Sequence, residues 1–149
     1  MSESFSIENF RHVTELHPRW GDMDALGHVN NAVYLTYLEQ ARVEYVRDLN
    51  LWDGSSTAFG FIIARVELDY LRPMTARDTV TIYSRTGRLG NKSMDMEQYI
   101  TRLTPRGVEP VAKAIITAVA MDYPNNETIP LPGDWREKII SYEPGTVKK

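Results

Sequence analysis

A chain of 149 residues is long enough for one domain with a real core and not comfortably long enough for two. It carries 17 Lys and Arg against 20 Asp and Glu, a formal charge of −3, which is a poor start for a protein that tracks a phosphate backbone, although a small basic cluster for a phosphorylated ligand is compatible with it. The absence of cysteine excludes disulfides, thiolate catalysis and Cys-ligated zinc. The apolar runs fall well short of a membrane span and the opening MSESFSIENF lacks a signal pattern, so a soluble, cytoplasmic protein is expected.

In chain order, RHVTELHPR has strand character and leads into Trp20–His28, where two Gly and two Asp without sustained periodicity read as a loop. From Val29 to about Asn50 the pattern changes: Val29, Val33, Tyr37, Ala41, Tyr45 and Leu49 recur at every fourth position, and Tyr34, Leu38 and Val46 widen the stripe. A strict step of four drifts by roughly 40° per repeat on a helix of 3.6 residues per turn. The apolar surface therefore winds partway around the rod and predicts a helix enclosed over much of its circumference. Asn30 or Asn31 is the expected N-cap. After the turn-rich Asp53-Gly54-Ser55-Ser56, everything to Asp122 reads as sheet. Val66, Leu68 and Tyr70 alternate with Arg65, Glu67 and Asp69 until Arg72-Pro73 stops the strand. Val80, Ile82 and the run Ser93–Leu103 flank a hairpin at Gly87–Lys92, and Thr104–Gly107 marks a further turn. Ala112–Met121, apolar apart from Lys113 and Thr117, is expected at the sheet centre, whereas the tail from Tyr123, with Pro124, Pro130 and Pro132, is expected to wrap the surface or lie partly disordered. One long helix followed by antiparallel strands has few packing solutions: the sheet curls around the helix in an α+β domain, and its open edges and uncovered face invite a second copy.

The densest polar cluster, WGDMDALGHVNN, sits just before the helix N-terminus. The first turn of a helix has unpaired N–H groups and an effective charge of roughly +0.5, so it stabilises an anion there, a developing oxyanion included. Asp22 and Asp24 supply carboxylates that can attack a carbonyl or activate water, and His28 supplies an imidazole to orient or exchange a proton. The bland alternative is that both aspartates cap the turn and His28 packs with a satisfied hydrogen bond.

The stretch RWGDMDALGHVNNAVYLTYLEQAR resembles the signature of hot-dog-fold thioesterases of the 4-hydroxybenzoyl-CoA thioesterase-like and acyl-ACP thioesterase branch. That signature is a strand, then D-x-D-x-x-G-H-V-N-N, then a helix reading Y-x-x-Y-x-E-x-A-R. Downstream, Val66–Pro73 followed by Asp78 is similar to the family's strand, proline and aspartate, and the likeness spans roughly residues 11 to 122. The resemblance implies a single domain over residues 1–149, a long central helix wrapped by a curved antiparallel sheet of about five strands, and hydrolysis of an acyl thioester at a site between two subunits of a homodimer or homotetramer. It implies that Asp24 is the catalytic carboxylate and that Asp22 is structural. His28 matches the histidine of the plant acyl-ACP branch, whereas Leu26 stands where that branch has asparagine, and Asn31 stands where some bacterial acyl-CoA members have histidine. Asp24 as nucleophile, or as general base on a water held by His28 or Asn31, gives the same net reaction.

The resemblance also implies that Arg88, Asn91, Lys92 and Ser93 contact the phosphates of coenzyme A, which is part of the substrate; no other cofactor is expected. The bland reading there is a solvated turn. Tyr34 and Phe61 are candidates for lining an acyl pocket, with core packing as the alternative. Glu39 lies three residues from Arg42, so an intrahelical ion pair explains it more simply than catalysis does. His12, His17 and His28 show no compact metal-ligand spacing with carboxylates, so no metal site is expected. Two other functions share the fold: a non-catalytic acyl-thioester-binding module, and an enoyl-thioester hydratase. The hydratase motif D-x-N-P-x-H has its Asp and His five apart, whereas Asp24 and His28 are four apart with no proline between.

Overall fold

Strict alternation gives each strand its two faces. In the first strand, β1 (His12–Leu16), His12, Thr14 and Leu16 are buried while Val13 and Glu15 face outward. The computed structural model describes residues 5–51 and 59–148, so the Asp53–Ser56 stretch lies outside the described residues. After β1 come helix α1 (Val33–Asp48), β2 (Phe59–Tyr70), β3 (Val80–Leu89), β4 (Ser93–Thr104), β5 (Gly107–Asp122), the short β6 (Glu127–Thr128), helix α2 (Gly133–Tyr142) and the short β7 (Val147–Lys148). The five long strands form one antiparallel sheet in the order β1-β3-β4-β5-β2, with β6 added to β5 and β7 running parallel to β3. β5 is internal, as its sequence predicts, and its inward residues Ala112, Ala114, Ile116, Ala118 and Ala120 are buried. Among the described strands β2 has one neighbour, β5, with which it pairs from Phe59 opposite Asp122 to Tyr70 opposite Ala112, shifting register at Ile63/Arg65. At this edge both sets of the alternation are exposed, Val66 and Tyr70 as well as Arg65, Glu67 and Asp69, and Leu68 is half-buried.

Helix α1 lies on one face of the sheet. Tyr34, Leu38, Ala41 and Tyr45 join Ile82, Met94, Met96, Ile100 and Ile116 in one core cluster. The expectation of a helix enclosed over much of its circumference is corrected: Leu35, Thr36, Glu39 and Gln40 are exposed, because the sheet covers the helix from one side only. Beneath it the fully buried Gln98 of β4 donates through Nε2 to the Leu38 carbonyl (3.1 Å) and to Ser84 Oγ (3.0 Å), while its Oε1 accepts from Arg42 (3.2 Å). A satisfied amide of this kind fixes the helix to the sheet at one register. The expected asparagine cap is also corrected. The N-cap is Ala32 without a side-chain cap, and Asn30 acts two residues earlier, its Oδ1 accepting from the Ala32 N–H (2.9 Å).

The tail is the largest departure from expectation. Residues 123–148 do not lie loose: Leu131, Trp135 and Ile139 belong to the core cluster. The Arg136 guanidinium donates to the carbonyls of Gly90 and Asn91, and the Leu131 N–H donates to the same Asn91 carbonyl (2.9 Å). At the end of α2, Glu143 is buried against α1 and β3. Its Oε2 accepts from the Thr86 N–H (2.6 Å) and from the Tyr45 hydroxyl, and Thr146 Oγ donates to the Thr86 carbonyl (2.9 Å). Burial pushes the Glu143 carboxyl above its ordinary value, against the opposing effect of the Thr86 N–H and the Tyr45 hydroxyl. The proline-rich composition conceals these anchors because each depends on a partner far away in sequence.

Tyr45→Phe removes one of the two donors to a buried carboxyl, a loss worth about 1–3 kcal/mol. Urea unfolding should show that destabilisation; an unchanged midpoint would mean that the tail does not depend on this bond.

Candidate active site

The loop before α1 is built around a buried carboxylate. Asp22 is 8% exposed, and its Oδ2 accepts from the Arg19 N–H (2.9 Å) and from the Tyr37 hydroxyl of α1 (2.5 Å). The Asn30 N–H donates to the Asp22 carbonyl (3.0 Å), and a bridge between Met23 and Val29 closes the loop, while the Val29 N–H reaches the Met74 carbonyl (2.7 Å). Within it, the Asp24 N–H donates to the His28 carbonyl (2.9 Å), the Gly27 N–H to the Asp24 carbonyl (3.0 Å) and the Leu26 N–H to Asp24 Oδ1 (2.9 Å). Gly27 takes φ +83, which the tight turn requires and a side chain would resist. The Tyr37 hydroxyl, then the Arg19 N–H, hold the Asp22 carboxyl below its ordinary value; burial, then Asp22 itself, push the Tyr37 hydroxyl up. Asp22 is thus a buried anchor of the loop, and Tyr37 is its partner, which the sequence did not single out. The only signal was its place on the apolar stripe.

Asp24, His28 and Asn31 all lie in this short stretch and are all exposed. Asp24 and His28 share a backbone link, but none of the three makes a side-chain hydrogen bond to another, and among the described residues the one bond to the Asp24 carboxylate comes from its own turn. Asn31 offers its carbonyl to the Tyr70 hydroxyl (2.7 Å), which fixes one end of β2 beside the start of α1. Among the described residues its N–H carries no hydrogen bond, whereas those of Ala32 and Val33 are taken by Asn30.

An apolar cavity of about 440 Å³ lies elsewhere, between α1 and the sheet. Val43 and Val46 of α1, Phe61 and Ile63 of β2, and Met94 and Met96 of β4 wall much of it; none of Asp24, His28 and Asn31 lines it. Of the two pocket candidates, Phe61 lines this cavity, whereas Tyr34 packs in the core edge-on to Tyr70 (5.0 Å) with its hydroxyl toward the Arg72 carbonyl (3.4 Å). Glu39 lies at the cavity too, but the ion pair expected with Arg42 is not formed: Arg42 turns inward to Gln98, and burial lowers its basicity.

The turn between β3 and β4 is more engaged than its sequence suggests. The Arg88 guanidinium grips both oxygens of Asp95 (2.6 and 3.2 Å) and touches Ser93 Oγ (3.2 Å), while Asn91 serves α2 through its carbonyl. Lys92 is exposed and reaches Thr128 (3.2 Å). Among the described residues no three His, Asp or Glu side chains gather closely enough to hold a metal ion, and no helix is long and apolar enough to cross a membrane.

The family model of the thioesterase-like superfamily matches residues 18–139, which takes in the loop, α1, strands β2 to β6 and most of α2. This chain belongs to that superfamily. It is 35% identical over 136 residues to the long-chain acyl-CoA thioesterase FadM of Escherichia coli, covering 85% of this chain and 95% of FadM. A thioesterase from Thermus thermophilus, solved in complex with coenzyme A and zinc, is 37% identical with a TM-score of 0.79, covering 92% of this chain and 97% of that one. A putative thioesterase from Pseudomonas aeruginosa is 32% identical with a TM-score of 0.76, covering 86% and 97% respectively. The resemblance read from the motif therefore holds: this is a thioester hydrolase of the hot-dog fold.

A carboxyl held below its ordinary value stabilises the fold at every pH above that ordinary value, and loses that contribution as pH falls through the lowered one. Asp22→Asn in this thioesterase should therefore lower the melting temperature at neutral pH, and the gap to the parent protein should close on acidification. A pH series of melting temperatures checks this; a gap that stays constant would show that the Asp22 charge contributes nothing.

Proposed function

We propose that this thioesterase hydrolyses acyl-CoA, with Asp24 as the reacting carboxylate, at a site completed by a second copy of the chain. The observation that carries this reading is the Tyr70–Asn31 contact. It ties one end of β2 to the loop that bears Asp24, while the other end of the same strand, Gly60–Ile63, walls the apolar cavity. β2 is an edge strand, and Ile62, Ile63, Val66 and Tyr70 along it are exposed. A row of unpaired backbone groups flanked by apolar side chains invites another strand. If two β2 edges pair antiparallel about the middle of the strand, the Gly60–Ile63 end of one copy lies across from the Tyr70 end of the other. The cavity of each copy then opens beside Asp24 of its partner. The exposure of Asp24 in a single copy fits this arrangement, because half of its surroundings come from the second copy.

The chemistry follows from the groups present. Either the Asp24 carboxylate attacks the thioester carbonyl, expelling the thiolate and leaving a mixed anhydride for water to hydrolyse, or it takes a proton from a water that attacks the same carbon. Both routes consume one water and yield the free acid and coenzyme A. His28 and Asn31 stand close enough in sequence to orient that water. The unbonded N–H of Asn31, at the amino end of α1, suits the developing oxyanion. For the phosphates, the exposed ammonium of Lys92 is the available cation of the β3–β4 turn, whereas Arg88 shapes the turn through Asp95. FadM, a long-chain acyl-CoA thioesterase by name, supports acyl-CoA as the substrate class.

Asp24→Asn should cut thiol release from a panel of acyl-CoA substrates by about 10²–10⁴-fold with the fold intact, the scale expected when a positioned acid–base group is lost. Wild-type rates in that variant, or no thiol release by the parent protein from any acyl-CoA, would overturn the reading. Val66→Lys puts a charge at the middle of the β2 edge. It should convert a dimer to a monomer by light scattering and abolish turnover, whereas an active monomer would refute the shared site.

A further inference from the structure

The two ends of the cavity are unlike, and the strand pairing tells them apart. Phe61 lies across from Ala120, Ile63 and Met94 both lie across from Ala118, and Val66 and Met96 both lie across from Ile116. Gly60 and Phe61 therefore mark one end of the cavity, and Met96, level with Val66 near the middle of β2, marks the other. Helix α1 follows the same axis. The Asn31 carbonyl before its first turn meets Tyr70, and the Leu38 carbonyl meets Gln98, the next inward residue of β4 after Met96. Glu39 and Arg42 thus stand at the Met96 end, and Val46, about one turn past Arg42, stands at the Phe61 end. Under the pairing proposed above, the loop of the partner lies beside Gly60–Phe61. The reacting carbonyl belongs there, and the acyl chain runs inward toward Arg42.

The inner end is closed by polar groups. Arg42 is half-buried and donates from its guanidinium to Gln98 Oε1 (3.2 Å). Gln98 is fully buried, and its Nε2 is committed to the Leu38 carbonyl (3.1 Å) and to Ser84 Oγ (3.0 Å), so the amide is not free to turn away. A methyl end pushed past Met96 would have to part Arg42 from Gln98. That leaves a buried amide oxygen without its donor and sets hydrocarbon against a guanidinium, and both are unfavourable. Short of that point the chain meets Val43, Val46, Met94 and Met96. Two conformable thioethers among them suit a flexible aliphatic chain better than a rigid ring.

We propose that the Arg42–Gln98 pair is the inner stop of the acyl site and sets the longest chain this enzyme accepts. The inference rests on the acyl-CoA thioesterase reading, with its paired β2 edges, and deepens it: the substrate is a flexible aliphatic acyl thioester whose methyl end halts at Met96. Neither residue of the pair touches the reacting carbonyl, so both act on the choice among substrates.

The test is thiol release from a series of saturated acyl-CoA substrates of increasing length, read as relative kcat/KM across the series. Arg42→Ala should move the optimum to longer chains. The ratio of kcat/KM for a chain beyond the parent optimum to that at the optimum should rise about tenfold or more, the scale of discrimination that one or more methylenes give in an apolar pocket. Val43→Phe fills the slot short of Arg42 and should move the optimum to shorter chains. Phe61→Ala lies where chains of every length pass, so it should lower kcat/KM without moving the optimum. Arg42→Leu, which leaves less empty space, carries the test if Arg42→Ala does not fold. Active Arg42 variants with the parent's length profile overturn the stop and leave the thioesterase reading standing, as does a longer optimum produced by Phe61→Ala alone. A parent protein that releases no thiol at any length overturns both.

Discussion

The hydroxyl of Tyr37 and the carboxylate of Asp22, 2.5 Å apart, join the loop to the helix, and much of the site depends on that bond. A carboxylate so nearly withdrawn from water would be costly unless its oxygens found donors, and Asp22 finds Tyr37, the Arg19 N–H and a longer contact from the Arg19 guanidinium (3.4 Å). Because Tyr37 projects from the second turn of α1, the bond fixes the loop relative to the helix axis. The backbone turn from Asp24 to His28 is then suspended between two fixed points, the Asp22 anchor and the Val29–Met74 bond. Asp24 is presented by that turn, its carboxylate exposed and bonded to the Leu26 N–H of the same turn.

The sheet has two unlike halves. On the β1 and β3 side, β7 and the Glu143 contacts cover or extend the structure; on the β2 side the edge is unpaired among the described residues, with Ile62, Ile63, Val66 and Tyr70 exposed alongside Arg65, Glu67 and Asp69. The bare edge is also where the cavity wall and the Tyr70–Asn31 link meet. Strand pairing there would serve stability and substrate binding together, since under the proposed pairing the groups that cover the edge would also complete the pocket.

What could be read from the sequence was what local chemistry determines. The Thr104–Gly107 turn appears where Pro105 and Gly107 demand it, with Gly107 at φ +111. β1 and β5 alternate as their side chains dictate, and the loop motif before α1 carried the family. What could not be read depends on distant partners. Nothing near Trp135 announces Phe61, and nothing near Arg42 announces Gln98, which draws the guanidinium away from the Glu39 beside it. The breadth of the apolar stripe on α1 was visible, but which part of it the sheet would cover was not. The exposed side chains of β2 look misplaced in one chain because the alternation reports a face, while the edge is set by topology.

The anchoring of the tail has a consequence for how the protein is made. Tyr45 and Glu143 are 98 positions apart, and Phe61 and Trp135 are also far apart along the chain. A chain emerging from the ribosome acquires its helix and sheet first and lacks the wall behind Phe61 until α2 has cleared the exit tunnel. During that interval the Phe61 ring lacks the Trp135 ring that later packs against it. A chain cut short before α2 therefore keeps its helix and long strands and lacks the ring behind Phe61.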